Sequence, residues 1–299
     1  MARKPVPLFL NPVAGRGRAG KYARNIVEIL DAGGIPTELI ESQAAGDLER
    51  RIGDVARSHS GPLIVAGGDG SVHEAVNGIL RAQSRAPLGV IPVGTGNDFA
   101  KASSISLDWQ TAARSLARRL TDAVAPRPID AGLMNDRYFA NGVGIGFDAK
   151  VNRIARSYRW PVGDLVYLFA VLEGIWDGVI TPSVTMRWDD GRYTGNVTLA
   201  NISNGPWVGG MFYIAPMAEN DDGALDLVYA ESVTRSRVVS LLPKLIRGRH
   251  IGEAGIASHR IESFELIADA PVPSHLDGEV QSLQREFRIR ILKGAVSLV

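Results

Sequence analysis

Over the first 125 residues, short apolar runs alternate with amphipathic stretches. VPLFL (6–10), TELI (37–40), LIVA (63–66) and LGVI (88–91) read as buried strands. Between them, helical spacing predicts helices near 18–32, 47–57, 71–82 and 108–120. An alternating βα order predicts a parallel sheet with helices on both faces. The rhythm changes near Ala125-Pro126. SVTMRWDDGRYTGNVTLANIS (183–203) alternates about Asp190-Gly191, a hairpin signal, and ALDLVYA (224–230) and EFRIRIL (286–292) alternate too. One stretch departs from this pattern: Leu165, Leu168, Phe169, Leu172, Ile175, Trp176 and Val179 share one face of a helix. The expectation is an α/β domain over residues 1–125 and a mainly antiparallel β domain over 126–299. The last strand or segment is a candidate to return to the first domain.

Ligands of a parallel sheet sit at the carboxyl ends of its strands, in the loops that follow. Three of those loops are rich in glycine. NPVAGRGRAGK (11–21) carries Gly15, Gly17 and Gly20 in a G-x-G-x-x-G spacing. Glu38 or Glu41 lies where a dinucleotide site would place a ribose-binding acid, but Asn11-Pro12 displaces the tight turn that such a site needs. A plain surface loop and a phosphate-holding loop with Arg18 or Lys21 near the charge are the other readings. GGDGSVHEAVNG (67–78) lets backbone N–H groups approach phosphate, and Ser71 is placed to cap the helix that follows. In that helix, His73 is a weak base candidate, and the helix dipole accounts for Glu74. PVGTGNDFAKA (92–102) flanks Thr95 with Gly94 and Gly96; Asn97 or Asp98 then reads as an N-cap. No P-loop and no protein-kinase signature set is present.

The composition narrows the chemistry. A net charge of +1 argues against nucleic acid as the main partner. The absence of cysteine excludes disulfides, thiolate metal sites and a cysteine nucleophile, and favours a cytoplasmic setting. The longest apolar stretch, LVYLFAVL from Leu165, is too short to span a bilayer.

Taken in order, NPVAGRG, GGDGSVHEAVNGI, PVGTGNDFA, IDAG (129–132), NGVGIGFDA (141–149), APMAENDDGALDL (215–227) and LDGEV (276–280) resemble the soluble diacylglycerol kinase family, which includes sphingosine and ceramide kinases. The resemblance runs along nearly the whole chain. It implies an α/β nucleotide-binding domain followed by a β-sandwich, with ATP between them and the γ-phosphate passing to a lipid hydroxyl. It places Asn11, Pro12, Gly67, Gly68, Asp69, Gly70, Ser71, Val72, His73 and Thr95 at the nucleotide, with Ser42 where the family often has a threonine. It lines the transfer site with Asp69, Asp98 and Asp130, and gives Asp277 and Glu279 of the Asp-Gly-Glu motif as base candidates. In sphingosine kinases, the first Gly-Asp-Gly acid is favoured instead. Without the resemblance, Asp277-Gly278 is a turn and Glu279 a residue on a solvated strand face.

Acids beside a triphosphate require a cation, and Mg²⁺ bound by carboxylate and phosphate oxygens is the natural one. The resemblance also implies a structural Mg²⁺ on Asp222 and the backbone near Glu219 and Ala224; by itself, Asp221-Asp222-Gly223 is a turn. Lys150, Arg153, Arg156 and Arg159 recur before the apolar helix, suggesting an acyl slot beside a patch for anionic membrane at the inner face; the alternative is a core helix after a solvated basic turn. Trp207 is expected in an exposed glycine-rich loop. The leading expectation is an ATP- and Mg²⁺-dependent kinase of diacylglycerol or a related lipid alcohol, in peripheral contact with membrane and with homodimerisation open. The alternatives are an NAD kinase-like phosphotransferase, a non-catalytic lipid- or nucleotide-binding relative and, more remotely, a dehydrogenase.

Overall fold

The computed structural model describes residues 4–158 and 165–299. The chain divides into two compact units, residues 1–130 with 294–299, and residues 131–293.

In the first unit, β1 (Val6–Leu10), α1 (Ala14–Ala32), β2 (Thr37–Glu41), α2 (Asp47–Ala56), β3 (Leu63–Gly67), α3 (Asp69–Arg81) and β4 (Leu88–Pro92) alternate along the chain. Two helices follow, α4 (Asp98–Ala102) and α5 (Trp109–Thr121). The four strands pair in parallel in the order β2-β1-β3-β4. Such a sheet is covered on both faces, so its inner strands are continuous apolar runs: every residue of β3 and β4 is buried. The expected burial of β2 is not observed. It is the edge strand, and Leu39 is exposed. α1 begins irregularly because Gly15, Arg16 and Gly17 all have left-handed φ/ψ. One apolar core joins Leu8, Leu10, Ile26 and Leu30 to Ile64, Ile91, Ala113 and Leu116.

β5 (Arg127–Met134) leads into the second unit, which continues with β6 (Arg137–Phe139), β7 (Gly142–Gly146), α6 (Phe147–Ser157) and α7 (Leu165–Asp177). Then come β8 (Ser183–Trp188), β9 (Gly191–Ser203), β10 (Trp207–Val208), β11 (Phe212–Tyr213), β12 (Leu225–Glu231) and α8 (Arg235–Ile246). The remaining strands are β13 (Ile256–Ile261), β14 (Ser263–Val272), β15 (Ser274–Leu276), β16 (Glu279–Val280) and β17 (Gln284–Leu298), whose last residues belong to the first unit. The strand pairs within this second unit are antiparallel. Phe264 and Phe287 sit in the core between the sheet faces, each almost wholly buried and each contributing roughly 1.5–3 kcal/mol. The α/β plus antiparallel-β architecture expected from the pattern is therefore the one observed.

Three details differ. Asp189-Asp190 forms the β8–β9 turn, one residue earlier than the Asp-Gly signal, because Trp188 pairs with Gly191. Among the described residues the second unit contains three helices rather than one. α6 buries Phe147, Val151 and Ala155 at i, i+4 and i+8, while α8 starts on Thr234, whose side chain accepts the Arg237 N–H. In α7, Val166, Ala170, Val171 and Ile175 are buried and Phe169, Leu172 and Trp176 are exposed, so the helix is apolar on nearly every side. Arg159 lies outside the described residues. No helix among the described residues is long and apolar enough to cross a membrane.

Candidate active site

In the first unit, the three glycine-rich loops follow adjacent strands β1, β3 and β4, and they touch. A Cβ on Gly94 would lie 2.4 Å from the Gly68 Cα, and one on Gly15 would lie 2.1 Å from the Val93 carbonyl oxygen. The loops approach this closely only because those positions are bare. Arg18 ties the first loop to the third, donating from Nε to the Gly15 carbonyl and from Nη2 to the Gly94 carbonyl.

Asp69 is the first residue of α3 and accepts the Phe99 N–H at 3.0 Å. It therefore satisfies an open donor at the start of α4 and joins the second loop to the third. Asn97, expected as a side-chain cap, has left-handed backbone (φ 52°) and closes its own loop by accepting the Gly94 N–H. Nor does Ser71 cap α3: Gly68 holds that position, and Ser71 is buried in the first turn beneath Gly67. Asp98 pairs with Lys101 at 3.3 Å. Asp130 is buried and accepts the Gly294 N–H at 2.7 Å. His73 is also buried, with Asn77 donating to its carbonyl oxygen. Glu74 accepts the Glu49 N–H at the start of α2, a more specific role than favouring its own helix dipole. Asn11 caps the turn after β1 through Val13 N–H, followed by Pro12; Ser42 follows β2, its backbone N–H donating to the Leu10 carbonyl; Thr95 is exposed at the tip of the third loop.

The second unit builds the Asp-Gly-Glu turn differently. The Asp277 carboxylate accepts the N–H groups of Ala140, Asn141 and Gly142 at 2.7–2.9 Å, while its own backbone is left-handed (φ 50°). Glu279 is gripped by both terminal nitrogens of Arg156, at 2.7 and 3.1 Å. His275 is buried beneath the turn. Its Nδ1 accepts the Gly278 N–H, which leaves Nε2 to donate to Asp148 at 3.0 Å. Gly144 makes room for that pair, since a Cβ there would lie 2.1 Å from the Asp148 carboxylate.

Comparison with known proteins matches these two frameworks. The diacylglycerol kinase catalytic domain family matches residues 5–126, and the YegS C-terminal NAD kinase beta sandwich-like domain family matches residues 141–299. A diacylglycerol kinase of Mycobacterium tuberculosis is 30% identical over 95% of this chain and 94% of its own. The chain belongs to the diacylglycerol kinase-like family of lipid kinases. A Bacillus subtilis diacylglycerol kinase is 28% identical over 92% of the chain and 90% of its own length. The crystal structure of a candidate diacylglycerol kinase from Bacillus anthracis strain Sterne superposes with a TM-score of 0.80 at 25% identity, covering 99% of this chain and 96% of that one.

A kinase of this family uses ATP, and glycine-rich loops at adjacent strand ends suit a phosphate chain, with Gly68 and Gly94 letting the second and third loops meet without a Cβ between them. The fit to Mg²⁺ rests on hard oxygens. On the Glu219–Ala224 turn, Asp222 accepts the Ala224 N–H and pairs with Arg260 at 2.7 Å. Even with Arg260 there, burial and then the charge of Asp222, with a further contribution from Glu219, push the Asp226 carboxyl up to about 6. That residual repulsion suits a cation. Among the described residues, no three acidic or imidazole side chains are grouped to hold a metal, so backbone oxygens would have to complete the shell.

The kinase also has residues that its motifs did not announce. In the sequence, Arg156 is part of a basic run and Asp148 part of a matched segment, and no motif marks His275. Lys150, from the same run, pairs with Asp177 at 2.7 Å. Trp207 is half-buried rather than exposed, because its ring packs on Tyr213 at 4.4 Å in the β10–β11 hairpin.

Proposed function

We propose that the chain is an ATP- and Mg²⁺-dependent lipid kinase that moves the γ-phosphoryl group of ATP to the hydroxyl of diacylglycerol, giving phosphatidic acid. The observation that carries this reading is the contact of three glycine loops at adjacent strand ends, in a chain whose relatives are named diacylglycerol kinases. In this reading residues 1–125 form the nucleotide domain and 126–299 the lipid domain. Asn11, Pro12, Ser42, Gly67 to His73 and Thr95 meet the nucleotide.

Phosphoryl transfer depends on positioning and charge neutralisation, and a lipid hydroxyl gains nucleophilicity as it loses its proton. Asp69 keeps the second and third loops at one spacing while Asp98 and Asp130 contribute negative charge. Asp277 holds the turn, its oxygens accepting three N–H groups. Glu279 is the proton acceptor, and Arg156 orients it. Asp69 and Asp98 would hold Mg²⁺, which would supply charge neutralisation on the phosphates; a second, structural ion would be held by Asp222 with backbone oxygens near Glu219 and Ala224. Exposed Phe169, Leu172 and Trp176, with Arg153 on the neighbouring helix, suit peripheral contact with an anionic membrane surface at the cytoplasmic face.

The test is transfer of label from γ-labelled ATP to a panel of diacylglycerol, ceramide, sphingosine and monoacylglycerol, with NAD as control. Label in phosphatidic acid, dependent on Mg²⁺, is expected. Label on NAD and on no lipid contradicts the proposal.

A further inference from the structure

The first unit contains a cavity outside the glycine loops. It opens beside β4, between residues 103–106, α5 and the last residues of β17. Water-sized spheres can be centred through about 400 Å³ of it. Val90, Leu116 and Leu298 give it an apolar wall. None of the residues assigned to ATP, Mg²⁺ or proton transfer lines it.

The polar part of the lining carries charge of one sign. Arg119 and Arg127 both line the cavity, and no acidic side chain does. Each arginine is half-buried. Arg127 donates from Nη2 to the Ser103 carbonyl at 3.2 Å, which fixes one guanidinium at the wall. The Arg119 Nε is shielded from water and has no hydrogen-bond partner. Hydroxyls stand beside the two cations: Ser104 and Ser115 are exposed along the lining, and Ser115 lies one turn before Arg119 on α5. Asp108, at the start of α5, does not line the cavity, and its carboxylate is taken by the Thr111 hydroxyl and N–H at 2.6 and 2.9 Å.

Cationic groups partly withdrawn from water are unfavourable without a counter-charge. Water could meet their N–H groups but brings no charge. An oxyanion does both, because a guanidinium offers parallel N–H groups spaced for two oxygens. Two arginines and neighbouring hydroxyls suit the three oxygens of a phosphate group better than the two of a carboxylate.

We propose that this cavity binds a small phosphate-bearing anion, with Arg119, Arg127 and the serine hydroxyls on its oxygens. Any organic group on the phosphate lies along Val90, Leu116 and Leu298. The site is separate from the transfer reaction. Its test involves no lipid and no turnover, so neither result decides the other.

The probes are inorganic phosphate and phenyl phosphate, titrated calorimetrically into the full chain at constant ionic strength. Both should bind, with saturating ATP and Mg²⁺ present as well as without, and both should move the Arg119 Nε resonance in ¹⁵N spectra. Arg119→Gln should weaken each at least about tenfold, the effect of losing a charge-assisted hydrogen bond. Ser115→Glu places a carboxylate one turn before Arg119, where it should pair with the guanidinium, repel the anion and weaken both probes to a similar degree. That variant decides if Arg119→Gln does not fold. Tighter binding of phenyl phosphate supports a site for an organic phosphate, and equal affinity supports one for the free ion. Failure of both probes to bind wild type overturns the proposal. So does binding that ATP displaces entirely, which belongs to the glycine loops, or binding that neither variant weakens.

Discussion

The two units hold their acidic residues in opposite ways. In the first, Asp69 spends an oxygen on the backbone of a neighbouring loop, so acid and glycines form one scaffold from three short sequence stretches. In the second, Asp277 and Glu279 are held from far along the chain, by the turn at 140–142 and by Arg156, while His275 and Asp148 support the turn between them. In the first, Asp69 is met by the Phe99 N–H and Asp98 by Lys101. In the second, a cation grips the one carboxylate proposed to take a proton. Glycine loops can thus be written locally, whereas the contacts that hold Asp277 and Glu279 come from far along the chain.

The largest expected effect lies in the second unit. Asp277→Ala strands three buried N–H donors and should cost roughly 3–5 kcal/mol by urea unfolding, whereas Asp277→Asn, keeping one acceptor oxygen, should cost clearly less. Equal losses would mean that the bonds to the turn do not matter. In the first unit, Gly94→Ala places a Cβ against Gly68 and should cost about 1–3 kcal/mol while weakening ATP binding at least tenfold. Retained affinity for ATP would separate loop contact from phosphate binding.

Smaller effects sharpen the contrast. Arg156→Ala removes an exposed pair and should change stability by less than about 1 kcal/mol, yet lower kcat without raising KM for ATP. A rise in KM alone would make Arg156 a binding residue. The smallest effect concerns pH. The folded Asp226 carboxyl titrates near 6, above its ordinary 3.8, so the native state holds that proton more tightly and stability falls as pH rises from about 4 to 6. Asp226→Asn should flatten that slope in thermal melts, and Mg²⁺ should raise the melting temperature of wild type at pH 7 more than that of Asp222→Asn.

Much of this was legible in the sequence. The parallel sheet followed from four apolar runs, of which β3 and β4 are buried throughout and the edge strand β2 is not, and the three loops from glycine spacing at strand ends. Reading failed where a residue's role depends on a partner far along the chain. Ser71 failed for a local reason instead: it carries the right chemistry for a cap, but Gly68 in the same loop takes that position. Asn97 was a reasonable cap, but Asp69, thirty residues earlier, supplies the acceptor for Phe99 N–H. His275 sits two residues before Asp277, yet nothing local reveals that Asp148 completes it. α8 escaped notice because Pro243 lies inside its apolar pattern.

The central claim is that Glu279 takes the proton while the first unit positions phosphate. Its most direct test is the single-turnover rate of label transfer from ATP to diacylglycerol in Glu279→Gln, beside wild type, with melting temperature and ATP affinity measured on both. The account predicts a rate at least about a hundredfold lower, with folding and ATP affinity unchanged. A Glu279→Gln protein that transfers phosphate at the wild-type rate contradicts it.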